Sequence, residues 1–161
     1  MTLPRAIQVH PDTTPYYHCI SRCVRQAFLM GVDHTTQRCF DHRKQWVVDE
    51  LATLERIFAV DVCAYAVMSN HVHLVLRLDP ASSQDWTRAE LLSRARQLFP
   101  MALQGAEVAG TLDEQVALYR ERLPSLSWFM RCLTERIARR AKAIDPAITT
   151  MLGGGYVNTE L

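Results

Sequence analysis

The hydrophobic positions of this chain switch between two periods, and the switches mark its elements. From Tyr16 to Leu29 the residues are strand-prone, with Tyr17, Cys19, Ser21 and Cys23 on one face and His18, Ile20, Arg22 and Val24 on the other. After Gly31 the period lengthens: Phe40, Trp46, Val47, Leu51, Leu54 and Phe58 recur at three- and four-residue spacing, which predicts a helix capped by Asp33 or Thr35 and running to about Phe58. Two apolar runs follow, Val60–Met68 and Val72–Leu78, broken by the polar pair Ser69-Asn70, so a hairpin is expected there. Strand, helix, strand, strand is the opening of a βαββαβ ferredoxin-like unit.

Beyond the hairpin the pattern is helical. Asp79-Pro80-Ala81-Ser82-Ser83 ends the second run, and Trp86–Phe99 carries Leu91, Leu92, Ala95, Leu98 and Phe99 at helical spacing behind a capping box at Thr87-x-x-Glu90, with Pro100 as its stop. Gln104–Gly110 reads as a loop, Leu112–Leu123 as a short helix, and Leu126 to about Lys142 as a long helix whose stripe is Leu126, Phe129, Met130, Leu133, Ile137 and Ala141. The domain organisation expected is an extended lead-in over 1–15, one domain over 16–145, and a tail over 146–161. Gly153-Gly154-Gly155 carries a high ordering entropy, which predicts that the tail is mobile.

Composition narrows the class. At 161 residues, 48% hydrophobic and 22% charged, this is one globular domain's worth of chain. It has no run of 18 apolar residues and no apolar signal segment at Met1–His10, so no membrane partner is expected and a cytoplasmic location is. Five cysteines without a C-x-x-C pair read as reduced thiols. The net charge of +1 does not advertise a nucleic-acid partner, so any such surface has to be local. One candidate is the last helix, where Arg131, Arg136, Arg139, Arg140 and Lys142 stand against Glu135; a solvated helix face is the alternative. Arg22 and Arg25 near the end of the first strand are further candidates for phosphate contact, or ordinary solvated arginines.

The candidate chemistry lies in His71-Val72-His73. Two histidines two apart on a strand project from one face and can supply two nitrogens to a divalent ion; on spacing alone they could equally be polar residues of a solvated face. Their surroundings are more specific. Tyr65, Met68, Asn70, His71, Val72 and His73, together with Tyr17-His18-Cys19-Ile20-Ser21-Arg22-Cys23-Val24-Arg25 upstream, resemble the single-tyrosine HUH transposases, in particular the REP-associated tyrosine transposases and their insertion-sequence-200-like relatives. The resemblance covers Tyr16 to Leu78 well, Leu126–Lys142 moderately and the remainder poorly.

That resemblance implies an α+β, ferredoxin-like (RRM-like) βαββα palm with additional C-terminal helices. It implies single-stranded or hairpin DNA as partner, and a Mg²⁺ or Mn²⁺ ion on His71 and His73 that polarises a phosphodiester under attack by a tyrosine hydroxyl. Members of the family continue into a last strand and a helix bearing the catalytic tyrosine. Neither segment is legible here, so both are expected to be missing and the chain to be a truncated relative. Tyr156 alone lies late enough to serve as nucleophile, with Glu160 as a third metal ligand, against the alternative of a chance Tyr in a disordered end. Three functions therefore stand open: a transposase, a remnant of one that binds DNA without turnover, and an unrelated metal-dependent hydrolase. The oligomeric state is open, with a homodimer among the options.

Overall fold

The computed structural model describes residues 14–23, 31–33, 37–98, 109–144 and 152–160, with backbone alone for 23, 33, 109–111 and 152–160. Strand β1 (Tyr16–Cys23) leads to a short ribbon, β2 (Val32–Asp33) with β3 (Arg38–Cys39). Helix α1 (Arg43–Ile57) and the hairpin β4 (Val60–Val67) and β5 (His71–Leu78) come next. Helices α2 (Pro80–Gln84), α3 (Arg88–Leu98), α4 (Ala109–Arg122) and α5 (Leu126–Ile144) precede a last strand, β6 (Leu152–Glu160).

The main sheet is antiparallel, in the order β4-β5-β1-β6. First and third strands at the centre, second and fourth at the edges: this is the full βαββαβ arrangement, with α1 and α5 as its two helices and α2, α3 and α4 inserted before the second. The α+β ferredoxin-like expectation therefore stands, with one correction. The last strand is present, built from the segment expected to be a mobile tail. Its glycines favour neither strand nor helix, but β1 offers a row of backbone partners, from Tyr17 opposite Glu160 to Ser21 opposite Tyr156 and, past a bulge, Cys23 opposite Leu152. A tyrosine helix is not among the described residues.

The core follows from strict alternation. On β5, Val72, Leu74, Leu76 and Leu78 are buried while His71, His73, Val75 and Arg77 are half-buried. On β1, Tyr17, Cys19 and Ser21 are buried. These apolar residues meet Trp46, Val47, Leu51, Leu54 and Ile57 of α1 and Phe129, Met130, Leu133 and Ile137 of α5 in one cluster. The helices thus cover one face of the sheet, and the histidine-bearing face is the other.

Thr87 Oγ1 accepts the Glu90 amide at 3.2 Å, making Thr87 the cap of α3 as expected, while the Glu90 carboxylate turns to Arg94 instead of completing the box. Asp79 caps α2 by accepting from the Ser82 amide at 3.2 Å, so the stop signal at Asp79-Pro80 also starts a helix. Helix α1 begins at Arg43 and not near Asp33, because Val32–Asp33 pairs with Arg38–Cys39 in the β2–β3 ribbon, with Gly31 at φ +86° and its amide held by Asp41 Oδ1; Thr35 lies outside the described residues. Two arginines stop helices: Arg94 donates to the carbonyls of Arg56 and Ile57 at the end of α1, and Arg120 to those of Ser83, Gln84 and Trp86 at and after the end of α2.

Adjacent residues of β5 should respond oppositely to truncation. Leu74→Ala is expected to cost about 2–5 kcal/mol in urea unfolding and Val75→Ala about 1 kcal/mol or less; equal losses would mean the faces are wrongly assigned. Thiol labelling gives an independent check. Burial pushes Cys19 up to about 12 and Cys132 up to about 11, whereas Cys39 and Cys63 are exposed. At pH 8 a thiol reagent should modify Cys39 and Cys63 in the folded protein and reach Cys19 and Cys132 only after unfolding. Because folding holds those two thiols protonated, stability should fall as pH rises past the ordinary thiol range of about 8.5.

Candidate metal and nucleic-acid face

The half-buried face of the central strands gathers histidines from both. In register, Arg22 stands opposite His71, Ile20 opposite His73 and His18 opposite Val75. The His71 and His73 rings lie with centroids 4.7 Å apart at 73°. His18 reaches diagonally across the strand pair, placing its Nε2 2.9 Å from His73 Nδ1. His71 Nδ1 is 2.5 Å from Asn70 Oδ1, in the turn that the Met68 amide closes onto the His71 carbonyl. His18 is the residue that motif reading passed over, because its partner lies 55 positions away; the available signal was that His18 and Arg22 share a face of the first strand.

Electrostatics suit the site to a cationic ligand only if the rings are neutral, and for His73 they favour neutrality. Its pKa is lowered first by desolvation and then by the positive charge that His71, His18 and Arg22 would place beside a charged ring. A neutral imidazole keeps the lone pair a metal needs. His71 and His73 fit as two nitrogen donors. Among the described residues, no group of three or more His, Cys, Asp or Glu side chains is arranged to hold a metal ion.

The side chains of Tyr156 and Glu160 lie outside the described residues, but their backbone positions do not. Tyr156 stands opposite Ser21 and Glu160 opposite Tyr17, whereas Val157 and Thr159 stand opposite Ile20 and His18. Ser21 and Tyr17 belong to the buried, helix-covered face. Antiparallel partners share a face, so the register positions of Tyr156 and Glu160 belong to the face opposite the histidines. Tyr65, on β4 of the hairpin, is 47% exposed. Tyr16 shares the histidine face but stands opposite Arg77, six residues or about 20 Å along β5 from His71.

The basic residues divide. Arg22 is exposed, beside His71, and makes no ion pair among the described residues. Arg25 lies outside the described residues. The arginines of α5 are each drawn to a carboxylate: Arg136 to Glu50 at 2.5 Å, Arg131 and Arg139 to Glu135, and Arg140 to Asp49 at 4.0 Å while its guanidinium sits 4.8 Å from the Trp46 ring. Lys142 is exposed. The expected row of free cations is thus largely paired, and it belongs to the helix layer on the far side of the sheet from His71 and His73. Counting charges along one helix could not reveal this, because Asp49 and Glu50 come from α1.

The Arg136–Glu50 pair is mostly shielded from solvent and joins α1 to α5, so it is a structural contact. Glu50→Gln is expected to destabilise the fold by about 1–2 kcal/mol, and Glu50→Gln with Arg136→Met to recover part of that loss in a double-mutant cycle. Additive losses would mean that the two side chains do not interact.

No helix among the described residues is long and apolar enough to cross a membrane. No family model matches the sequence, and no curated protein matches it. Among solved structures, a "putative transposase" from Deinococcus radiodurans resembles this chain at a TM-score of 0.48 and 16% identity, over 100% of this chain and 86% of that one. A likeness of that size says nothing of family or chemistry. The ferredoxin-like assignment rests on the strand order.

Proposed function

We propose that this chain is a transposase-like protein that binds single-stranded or hairpin DNA on the histidine face of its sheet, with a divalent ion held by His71 and His73. The observation that carries this reading is the pair of neighbouring imidazoles on a half-exposed face beside the exposed Arg22. His71 and His73 would bind the ion, and Arg22 would attract and orient a backbone phosphate without reading its base. When bound, the ion would withdraw charge from a phosphodiester oxygen. Imidazole ligation of a phosphate-seeking ion favours Mn²⁺ over Mg²⁺.

A second reading, binding without turnover, is favoured by one specific observation: the position of Tyr156 opposite buried Ser21. In-line attack needs the hydroxyl within about 3–3.5 Å of phosphorus, and a strand position on the far face does not supply that. The metal-dependent hydrolase is disfavoured, since among the described residues no further His, Cys, Asp or Glu joins His71 and His73 in a group arranged to hold an ion.

The test is incubation with hairpin DNA, with and without Mn²⁺. The expected result is a salt-sensitive complex, weakened several-fold by Arg22→Ala and strengthened by Mn²⁺ in the wild type but not in His71→Ala/His73→Ala. No covalent adduct should survive denaturation, and Tyr156→Phe should change nothing. An adduct abolished by Tyr156→Phe would restore the full transposase reading, and absence of DNA binding at low salt would overturn the proposal.

A further inference from the structure

We infer that His18 is a positioning residue that holds His73 in the tautomer whose Nε2 lone pair is free for a metal ion, and that Asn70 does the same for His71. The inference rests on the proposed metal site but concerns proton positions that exist without metal.

The geometry begins with Asn70. An amide oxygen can only accept, so at 2.5 Å from Asn70 Oδ1 the Nδ1 of a neutral His71 must carry the proton, which leaves the lone pair on Nε2. For His73 the partner is another imidazole. The His18 and His73 planes are 16° apart with centroids 5.1 Å apart, and Nε2 of one is 2.9 Å from Nδ1 of the other. A 2.9 Å N···N contact extended by one ring radius at each end gives about that centroid separation. The two rings therefore meet edge to edge, in line, as an N–H···N hydrogen bond requires, and do not lie face on face.

Only one proton fits between those nitrogens. If His73 Nδ1–H donates to His18 Nε2, both candidate ligands present Nε2 and both are fixed at Nδ1. If His18 donates, His73 carries its proton on Nε2 and cannot bind a metal there. The first arrangement repeats at His73 what Asn70 imposes on His71. It is also how ligand histidines are usually oriented, through the ring nitrogen that does not touch the metal. Residues from β1 and from the hairpin turn thus fix the two rings that β5 carries.

The test is ¹⁵N NMR of the imidazoles in the metal-free protein at a pH where they are neutral, with Mn²⁺ affinity measured in parallel. The expected result is protonated Nδ1 and bare Nε2 at both His71 and His73, with a coupling across the His73–His18 hydrogen bond. His18→Leu should mix the His73 tautomers and weaken Mn²⁺ about tenfold, and His18→Gln, which keeps an acceptor, should restore most of both. A wild-type His73 protonated on Nε2 overturns the inference, as does a tautomer unmoved by His18→Leu. Should His18→Leu fail to fold, the wild-type spectrum alone decides. Protonated Nδ1 at His73 without any Mn²⁺ binding would uphold the tautomer assignment and overturn the proposed metal site, so the two failures are separable.

Discussion

Burial of Val72, Leu74, Leu76 and Leu78 under α1 and α5 is the constraint on which the rest depends. A strand alternates strictly, so sealing these four residues in the core places His71 and His73 on the opposite face together. A slip of one residue would move four apolar side chains toward water and two imidazoles into the core, at a cost comparable to the stability of a whole domain. The same argument applied to β1, where Tyr17, Cys19 and Ser21 are buried, puts His18 and Arg22 on the histidine face. Antiparallel pairing of these two central strands then brings into contact residues that the sequence keeps more than fifty positions apart.

What the sequence made legible was whatever is local. The period of two in β5, the stripe of α1, the Thr87 cap and the stripe of α5 all describe residues that interact within a few positions of one another, and each corresponds to an element of the fold. What it hid was settled by pairing at a distance. Leu152–Glu160 has no apolar alternation and contains three glycines, so nothing in it demands a strand; β1 does, because its outer edge would otherwise leave a row of backbone groups without partners. The β2–β3 ribbon was hidden for a similar reason, being only two residues long on each side. Candidate site residues divide along the same line. His71 and His73 could be paired from their spacing, while His18 required the sheet register.

The cations of α5 have carboxylate neighbours that a reading along one helix does not show: Asp49 and Glu50 of α1 stand against Arg140 and Arg136, Glu135 of α5 itself stands against Arg131 and Arg139, and Arg136 with Glu50 ties the two covering helices together. Arg136, like Arg94 and Arg120 at helix ends, holds one part of the fold to another. Among the described residues, a cation that stands beside the histidines is Arg22, a strand residue.

The most direct measurement of the central claim is the anomalous difference density of crystals grown with Mn²⁺. The account predicts one peak on the histidine face of the sheet, bonded at about 2.1–2.3 Å to Nε2 of both His71 and His73 and otherwise surrounded by water. A map without a peak there, or a peak bonded through Nδ1, would contradict it.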